Sequence, residues 1–425
     1  MRRLACVVVL SFGFACSSPA APAASGGSTG SSGSGAVAGS SAAGSASAGA
    51  AGAAATAGMS AGGAPGAGAG GMLSHGGVGA GGAAAGGAAT GGAATNGGAT
   101  SGGAPSGGAT GSAGSGSGGF SCPAGPFAAP AVSGKHASKV AGTPPKDAFN
   151  NQLNDFTNVE GPVWLGDSLY FSEMTGADLP PARILKIGPG NVVSVAVADS
   201  GSNGLALDTM GNLLAAVHKD GSVSKVALPG GMETPLVSEF GQPPTRFNSP
   251  NDLTVRSDGT IYFSDPNYQN SKNPQKAERL YRITPPPTRT VSIATSSSDT
   301  GFLRPNGVTL SPDEKTLYVS GSNLKKFAVM ADGTLGVGSD FVAGASGDGM
   351  AVDCGGNLYV AGGSSGVRVY SPTGTLIGTI TTDGGTTTNV AFGGTDHMQL
   401  YVTAQGSSGS QGVFTVTMNV PGYPY

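Results

Sequence analysis

The stretch PNGVTLSPDEKTLYVS, residues 305–320, decides how the chain folds. Asn306 opens the pattern, an apolar alternating run follows, a polar turn comes next, and a second run holds Leu317 and Tyr318. The same template returns as EGPVWLGDSLYFSE from Glu160, NGLALDTMGNLLAA from Asn203 and NDLTVRSDGTIYFS from Asn251. It returns again as DGMAVDCGGNLYVA from Asp348 and NVAFGGTDHMQLYVTA from Asn389. The opening residues lie about 40 to 55 positions apart, a period typical of one supersecondary unit stacked on its neighbours. The runs alternate in polarity or are small and apolar, as strands buried between blades require. The turns TMG, SDG and CGG (209–211, 257–259 and 354–356) put glycine where a tight hairpin needs positive φ. No long stretch of 3.6-residue period occurs, so the expectation is an all-β chain, a six-bladed β-propeller over residues 120–425. The segments before Glu160 and after Asn389 are long enough for one blade to be completed from both ends.

In a propeller, equivalent positions of every blade stand equally far from the central axis. The six opening side chains therefore point towards one spot. Glu160 and Asp348 are acids, whereas Asn203, Asn251, Asn306 and Asn389 are amides. An all-oxygen set with about two negative charges suits Ca²⁺, with Mg²⁺, Mn²⁺ or Zn²⁺ as replacements in vitro, although Zn²⁺ itself prefers His and Cys. The alternative is that these residues only start strands, hydrogen-bonding local backbone as Asx-turns do.

The chain has 425 residues and a formal net charge of −3. Residues 1–15 combine Arg2 and Arg3 with the run LACVVVLSFGFA, too short to span a bilayer and read as a signal peptide. The run ends at Cys16 and resembles the lipobox of bacterial lipoproteins, with Gly13 and Phe14 departing from it. That resemblance implies lipidation of Cys16; ordinary secretion with cleavage nearby is the alternative. Residues 16–119 are almost wholly Gly, Ala, Ser and Thr and hold no Lys, Arg, Asp or Glu. Such a segment cannot offset chain entropy by burial, so a disordered tether is expected, with a reach of about 50–60 Å. These features imply an exported protein, anchored to the outer membrane by lipid and facing the periplasm or the cell surface. No basic stripe offers itself to nucleic acid, and a monomer is expected. Cys122 and Cys354 are left over once Cys6 and Cys16 are assigned, and in an exported protein two such cysteines favour a disulfide over two free thiols.

EGPVW at Glu160, NSPNDLTV followed by FSDP, PNGVTLSPDEKTLYVS, DGMAVD and TNVAFGG with LYVTA together resemble the SMP-30/gluconolactonase/LRE family. The resemblance implies a six-bladed propeller with one divalent cation, usually Ca²⁺, held by Glu160, Asn306 and Asp348. Asn251 is implied as a further metal or substrate contact. Members commonly open sugar lactones or related cyclic esters, with Asp348 in the place of the general base. Some members carry a substrate-binding Arg where this chain has Ser249, and Gly347 stands where Pro often precedes the Asp. Arg246 either reaches into the pocket instead or is a surface loop residue. Asp252 is either a partner of the ligands or a strand-start hydrogen-bonder. Asp265 and Tyr268, in FSDPNY, either line the pocket mouth or form a simple turn, and Asn203 either lines the site or starts a strand. Trp164 reads as core.

Two other readings compete. One is a phosphotriesterase or paraoxonase-like hydrolase on the same metal. Some of those enzymes use pocket histidines, but His136, His218 and His397 are not at opening positions. The other is a tethered propeller that binds a ligand without turning it over. The small-molecule partner expected is a lactone or ester.

Overall fold

Each template folds as the inner two strands of a blade, and the residues that follow it add two more. The computed structural model describes residues 120–140, 144–146, 155–174, 182–231, 233–270, 272–295, 304–364, 366–407 and 409–424. The signal-peptide, Cys16 and tether readings of residues 1–119 lie outside them. Blade one comprises Asn158–Leu165, Ser168–Met174, Arg183–Ile187 and Val193–Val197. Blade two comprises Ser202–Leu207, Leu213–Val217, Ser222–Val226 and Glu233–Val237. Blade three is Leu253–Val255, Ile261–Asp265, Arg279–Ile283 and Val291–Ile293, and blade four is Val308–Leu310, Thr316–Val319, Leu324–Ala328 and Ser339–Val342. Blade five is Met350–Val352, Leu358–Ala361, Val367–Tyr370 and Leu376–Thr382. All pairings within these blades are antiparallel.

Blade six closes the ring with strands from both ends of the domain. Thr386–Gly393, Gln399–Gln405 and Gly412–Thr417 come from the C-terminal side, and His136–Lys139 is added outside the last, pairing Ser138 with Thr415. His136–Lys139 also runs parallel to the outer strand of blade five, pairing His136 with Thr381, so blades five and six share one eight-stranded sheet.

The core follows from the period-two alternation of the strands. Leu205, Leu207, Leu213 and Ala215 face Val163, Ile184 and Val197 of blade one, whereas Ala206, Leu214 and Ala216 face Leu253, Ile261 and Phe263 of blade three. Equivalent apolar layers fill the joints between blades three and four, four and five, and five and six. The last layer joins Val413 to Val159, Leu169, Phe171 and Leu185, across the seam between blades six and one. A closed ring of six such layers leaves no blade with an uncovered apolar face.

Hydroxyls reinforce the joints beside the axis. Ser172 Oγ donates to the Asn203 carbonyl at 2.6 Å, and Ser264 Oγ donates to the Asn306 carbonyl at 2.6 Å. Ser320 Oγ donates to the Asp348 carbonyl, and Thr388 Oγ1 to the Val159 carbonyl at 2.7 Å. Each of these bonds ties one blade to the opening segment of the next, and each such bond contributes about 1 kcal/mol. The blades approach so closely here that a side chain would not fit. A Cβ built on Gly307 would stand 2.4 Å from the Asp348 carbonyl, and one on Gly349 would stand 1.9 Å from the Asn389 side chain.

Both ends of the domain are fastened at the hairpin-turn end of blades five and six. Cys122 is disulfide-bonded to Cys354, with the Cα atoms 5.5 Å apart. The Phe120 ring stacks on His397 at 4.1 Å. The C-terminal tail crosses the same region, with Gly422 N donating to the His397 carbonyl and Tyr423 N to the Val352 carbonyl. Trp164 stacks on Tyr401 at 5.8 Å within the seam layer, a core position.

Candidate functional site

The inner strands all start at one end of the axis, and that end gathers buried polar groups. Glu160, Asn203, Asn251, Asp252 and Asn389 are all buried there. Backbone bonds lock the segments that carry them. Asn251 N donates to the Ser264 carbonyl, Asn306 N to the Ser320 carbonyl and Asp348 N to the Ala361 carbonyl. Each bond pins an opening residue to the second strand of its own blade. The Asn251 carbonyl accepts from Gly204 N of blade two at 2.6 Å, which sets the distance between two neighbouring openings.

The electrostatics of this cluster are those of acids crowded out of water. Burial first, then the Asp348 and Asp252 carboxylates, push Glu160 well above the usual carboxylate range. Two hydrogen bonds oppose that shift, one from Gly161 N at 3.1 Å and one with the Asn389 side chain. Burial, then Asp252, pushes Asp348 up to about 7, against hydrogen bonds with the Asn306 side chain and Gly349 N. Burial pushes Asp252 up to about 7 as well. Its Oδ1 accepts from Leu253 N at 3.0 Å and its Oδ2 from Val308 N of blade four at 2.9 Å. Asp252 is thus both a strand-start hydrogen-bonder and a close neighbour of the two opening acids. None of the three carboxylates forms an ion pair among the described residues.

Among the described residues, no group of three or more His, Cys, Asp or Glu side chains is arranged to hold a metal. A cation here would have to draw on amide oxygens beside carboxylates. Glu160 and Asp348, flanked by the amides of Asn306 and Asn389, form such a mixed oxygen set. Hard cations accept it, and positive charge would relieve the repulsion that lifts the acids.

The other residues singled out from the sequence take different places. Tyr268 lies at the site: its ring carries the Arg304 guanidinium 4.4 Å above it, and its hydroxyl bonds the Asn306 side chain. Together with Asp348 it lines an open pocket of about 340 Å³. Asp265 is a brace, because its two oxygens accept from Asn248 N and Ser249 N at 2.9 and 2.8 Å and so shape the loop leading to Asn251. Arg246 is absent from the lining of that pocket; its Nη2 donates to the carbonyls of His218 and Lys219. Asn203 offers its carbonyl to Ser172 across the joint of blades one and two. His136 faces Asp383 at 3.2 Å on the outer strand, and His397 stands at the turn end.

The sequence pattern marked neither Arg304 nor Arg368, and it did not show which neighbours Asn389 and Asp252 would meet. The bond between Asn389 and Glu160 joins blades six and one, so only ring closure creates it. Asp252 occupies a position that is glycine in four of the other openings, namely Gly161, Gly204, Gly307 and Gly349, and that exchange was the available signal. Arg304 and Arg368 reach the pocket from a joining loop and a third strand.

A family model described as the SMP-30/Gluconolactonase/LRE-like region matches residues 159–406, more than half of the chain. The chain belongs to this family. It is 30% identical over 273 residues to the gluconolactonase of Zymomonas mobilis, covering 55% of this chain and 72% of that one. A solved gluconolactonase from Xanthomonas campestris superposes with a TM-score of 0.53 at 27% identity, covering 70% of this chain and 99% of the other. An X-ray structure of a candidate gluconolactonase superposes with a TM-score of 0.57 at 25% identity, covering 69% and 95%. The family region contains all six opening residues, whereas the closing strand His136–Lys139 and the disulfide partner Cys122 lie before it.

Proposed function

We propose that this chain is a metal-assisted hydrolase that opens a sugar lactone or a related cyclic ester. The observation that carries the reading is the meeting of Glu160, Asp252 and Asp348 with the Asn306 and Asn389 amides, beside a pocket large enough for one sugar ring. The family relationship to gluconolactonases supports the substrate class. Glu160, Asn306, Asp348 and Asn251 would hold the cation, with Ca²⁺ the ion best matched to oxygen donors only. When bound, it supplies Lewis-acid polarisation of the lactone carbonyl.

The protein's own groups do the rest. Asp348 faces the pocket and is the base that takes the proton from the attacking water. The water oxygen adds to the carbonyl carbon, the ring C–O bond breaks, and the proton returns to the departing ring oxygen. Asn306 holds the Asp348 carboxylate by a side-chain hydrogen bond and so fixes which oxygen faces the water. Tyr268 orients Asn306 in turn.

The test uses protein purified without EDTA. We expect bound calcium by elemental analysis, a melting temperature raised by added Ca²⁺, and hydrolysis of glucono-δ-lactone that is lost in Asp348→Asn. Calcium binding without turnover of any lactone, aryl ester or phosphotriester would favour the tethered binding module. We propose also that residues 1–15 direct export and that Cys16 carries the lipid. The intact mass of the membrane fraction checks this, and a mature chain without acyl groups would sink it.

A further inference from the structure

The pocket of about 340 Å³ that Asp348 shares is lined also by Tyr268, Ser322, Ser346, Arg304 and Arg368 among others. Two guanidinium groups in one small pocket demand an explanation, because a neutral sugar lactone offers them only hydroxyl groups. Neither forms an ion pair among the described residues. Glu278 spends Oε2 on the backbone N–H of Arg304 at 3.1 Å.

Both arginines are held in place without being neutralised. Arg304 has its guanidinium 4.4 Å above the Tyr268 ring, and its own carbonyl accepts the Tyr268 hydroxyl at 3.2 Å. Arg368 projects from the blade-five strand Val367–Tyr370, and its Nη2 donates to the Ser346 carbonyl. Its Nε is buried with no hydrogen-bond partner among the described residues. A Cβ on Gly362 would come within 2.9 Å of that nitrogen, so the residue's lack of a side chain leaves room for the guanidinium. Stacking and a single carbonyl bond leave further N–H donors of each fork open to a ligand.

We propose that Arg304 and Arg368 form a subsite for an acidic group on the substrate, so that the natural lactone carries a carboxylate or a phosphate away from its ring carbonyl. The proposal rests on the hydrolase reading, since Asp348, which lines the same pocket, would act on the ring. A planar guanidinium fork matches either oxyanion and binds it more strongly than a hydroxyl. The subsite is a matter of recognition, and the arginines are positioning residues for the substrate.

The experiment compares kcat/KM for glucono-δ-lactone, for a glucarolactone bearing a free carboxylate, and for 6-phosphoglucono-δ-lactone, all with Ca²⁺ present. The expected result is a preference of about tenfold or more for one acidic lactone over the neutral one, the two acidic arms telling carboxylate from phosphate. In Arg304→Gln and Arg368→Gln that preference ratio should fall about tenfold, through KM more than kcat, with Arg304→Lys keeping part of it. No acidic preference, or a ratio that both Gln variants leave intact, overturns the subsite. If Arg368→Gln fails to fold, Arg304→Gln, whose side chain is exposed, decides alone. If wild type hydrolyses no lactone, the hydrolase reading fails by itself. The subsite then stands or falls on whether glucarate or 6-phosphogluconate raises the melting temperature of wild type but not of the Gln variants.

Discussion

At the start of the inner strands, burial raises the proton affinity of Glu160, Asp252 and Asp348, and the neighbouring carboxylates raise that of Glu160 and Asp348 further. At the hairpin-turn end of the same strands, acids are just as regular but differently satisfied. Asp353 Oδ1 accepts from Gly355 N, Asn357 N and Asn357 Nδ2, while its Oδ2 accepts from Asn357 Nδ2 and the Tyr359 hydroxyl. Asp208 Oδ1 accepts from Met210 N and Asn212 N in the matching turn of blade two. One residue type serves two purposes, and the supply of donors tells them apart. Acids saturated by their own turn shape a hairpin, whereas the buried acids at the strand starts have few donors and are pushed towards their neutral forms.

The largest effect should come from exchanging an acid at either end. Asp348→Asn is expected to lower kcat/KM by about 10²- to 10⁴-fold while leaving the melting temperature in EDTA unchanged or higher. Asp353→Asn should do the reverse, keeping the activity and losing about 1–3 kcal/mol of stability by urea unfolding. Equal losses of activity in both would erase the distinction between the ends.

Next in size is the disulfide. Cys122→Ser with Cys354→Ser opens a crosslink spanning 232 positions, and about 3–5 kcal/mol of stability should be lost in denaturant titrations. Calcium affinity by calorimetry should stay within experimental error, because the crosslink sits at the turn end. A matching loss of calcium affinity would show that the two ends are coupled.

The pH dependence sharpens the same contrast. Asp252 and Asp348 have folded pKa values raised to about 7, so their contribution is full below about pH 4 and lost as pH rises through about 7, and Glu160 is shifted in the same direction. In EDTA the melting temperature should therefore fall by a few degrees between pH 5 and pH 8, a window set by those shifts. With saturating Ca²⁺ the fall should vanish, since the cation binds the charged forms. A profile in EDTA that is flat across this window would mean that burial and neighbouring charge do not raise these acids. The smallest effect belongs to Ser320→Ala, which removes the bond to the Asp348 carbonyl and should destabilise by about 1 kcal/mol in urea.

The fold was readable because each blade repeats one template and each turn carries its glycine at a fixed offset. Gly211, Gly259 and Gly356 have φ values of 77, 89 and 80°, the left-handed conformation those turns need. Completion of one blade from both ends followed from segment lengths, but the parallel contact of His136–Lys139 with blade five did not. Within the site, the opening residues could be found by register alone. The roles around them could not: Asp265 turned out to brace the Asn251 loop, and Arg246 to hold carbonyls between blades two and three. A side chain in a loop has no periodic neighbour from which its direction can be inferred.

The sequence by itself determined the number of blades, the layered core and the end of the axis at which Glu160, Asn306 and Asp348 stand. Those properties rest on local alternation and on a period, both of which survive in one dimension. Only the tertiary structure decided which acids feel one another, that Asn389 reaches Glu160 across the closing seam, and that Arg304 and Arg368 share a pocket with Asp348. These depend on distances between residues far apart along the chain, and a ring fixes such distances only once it has closed.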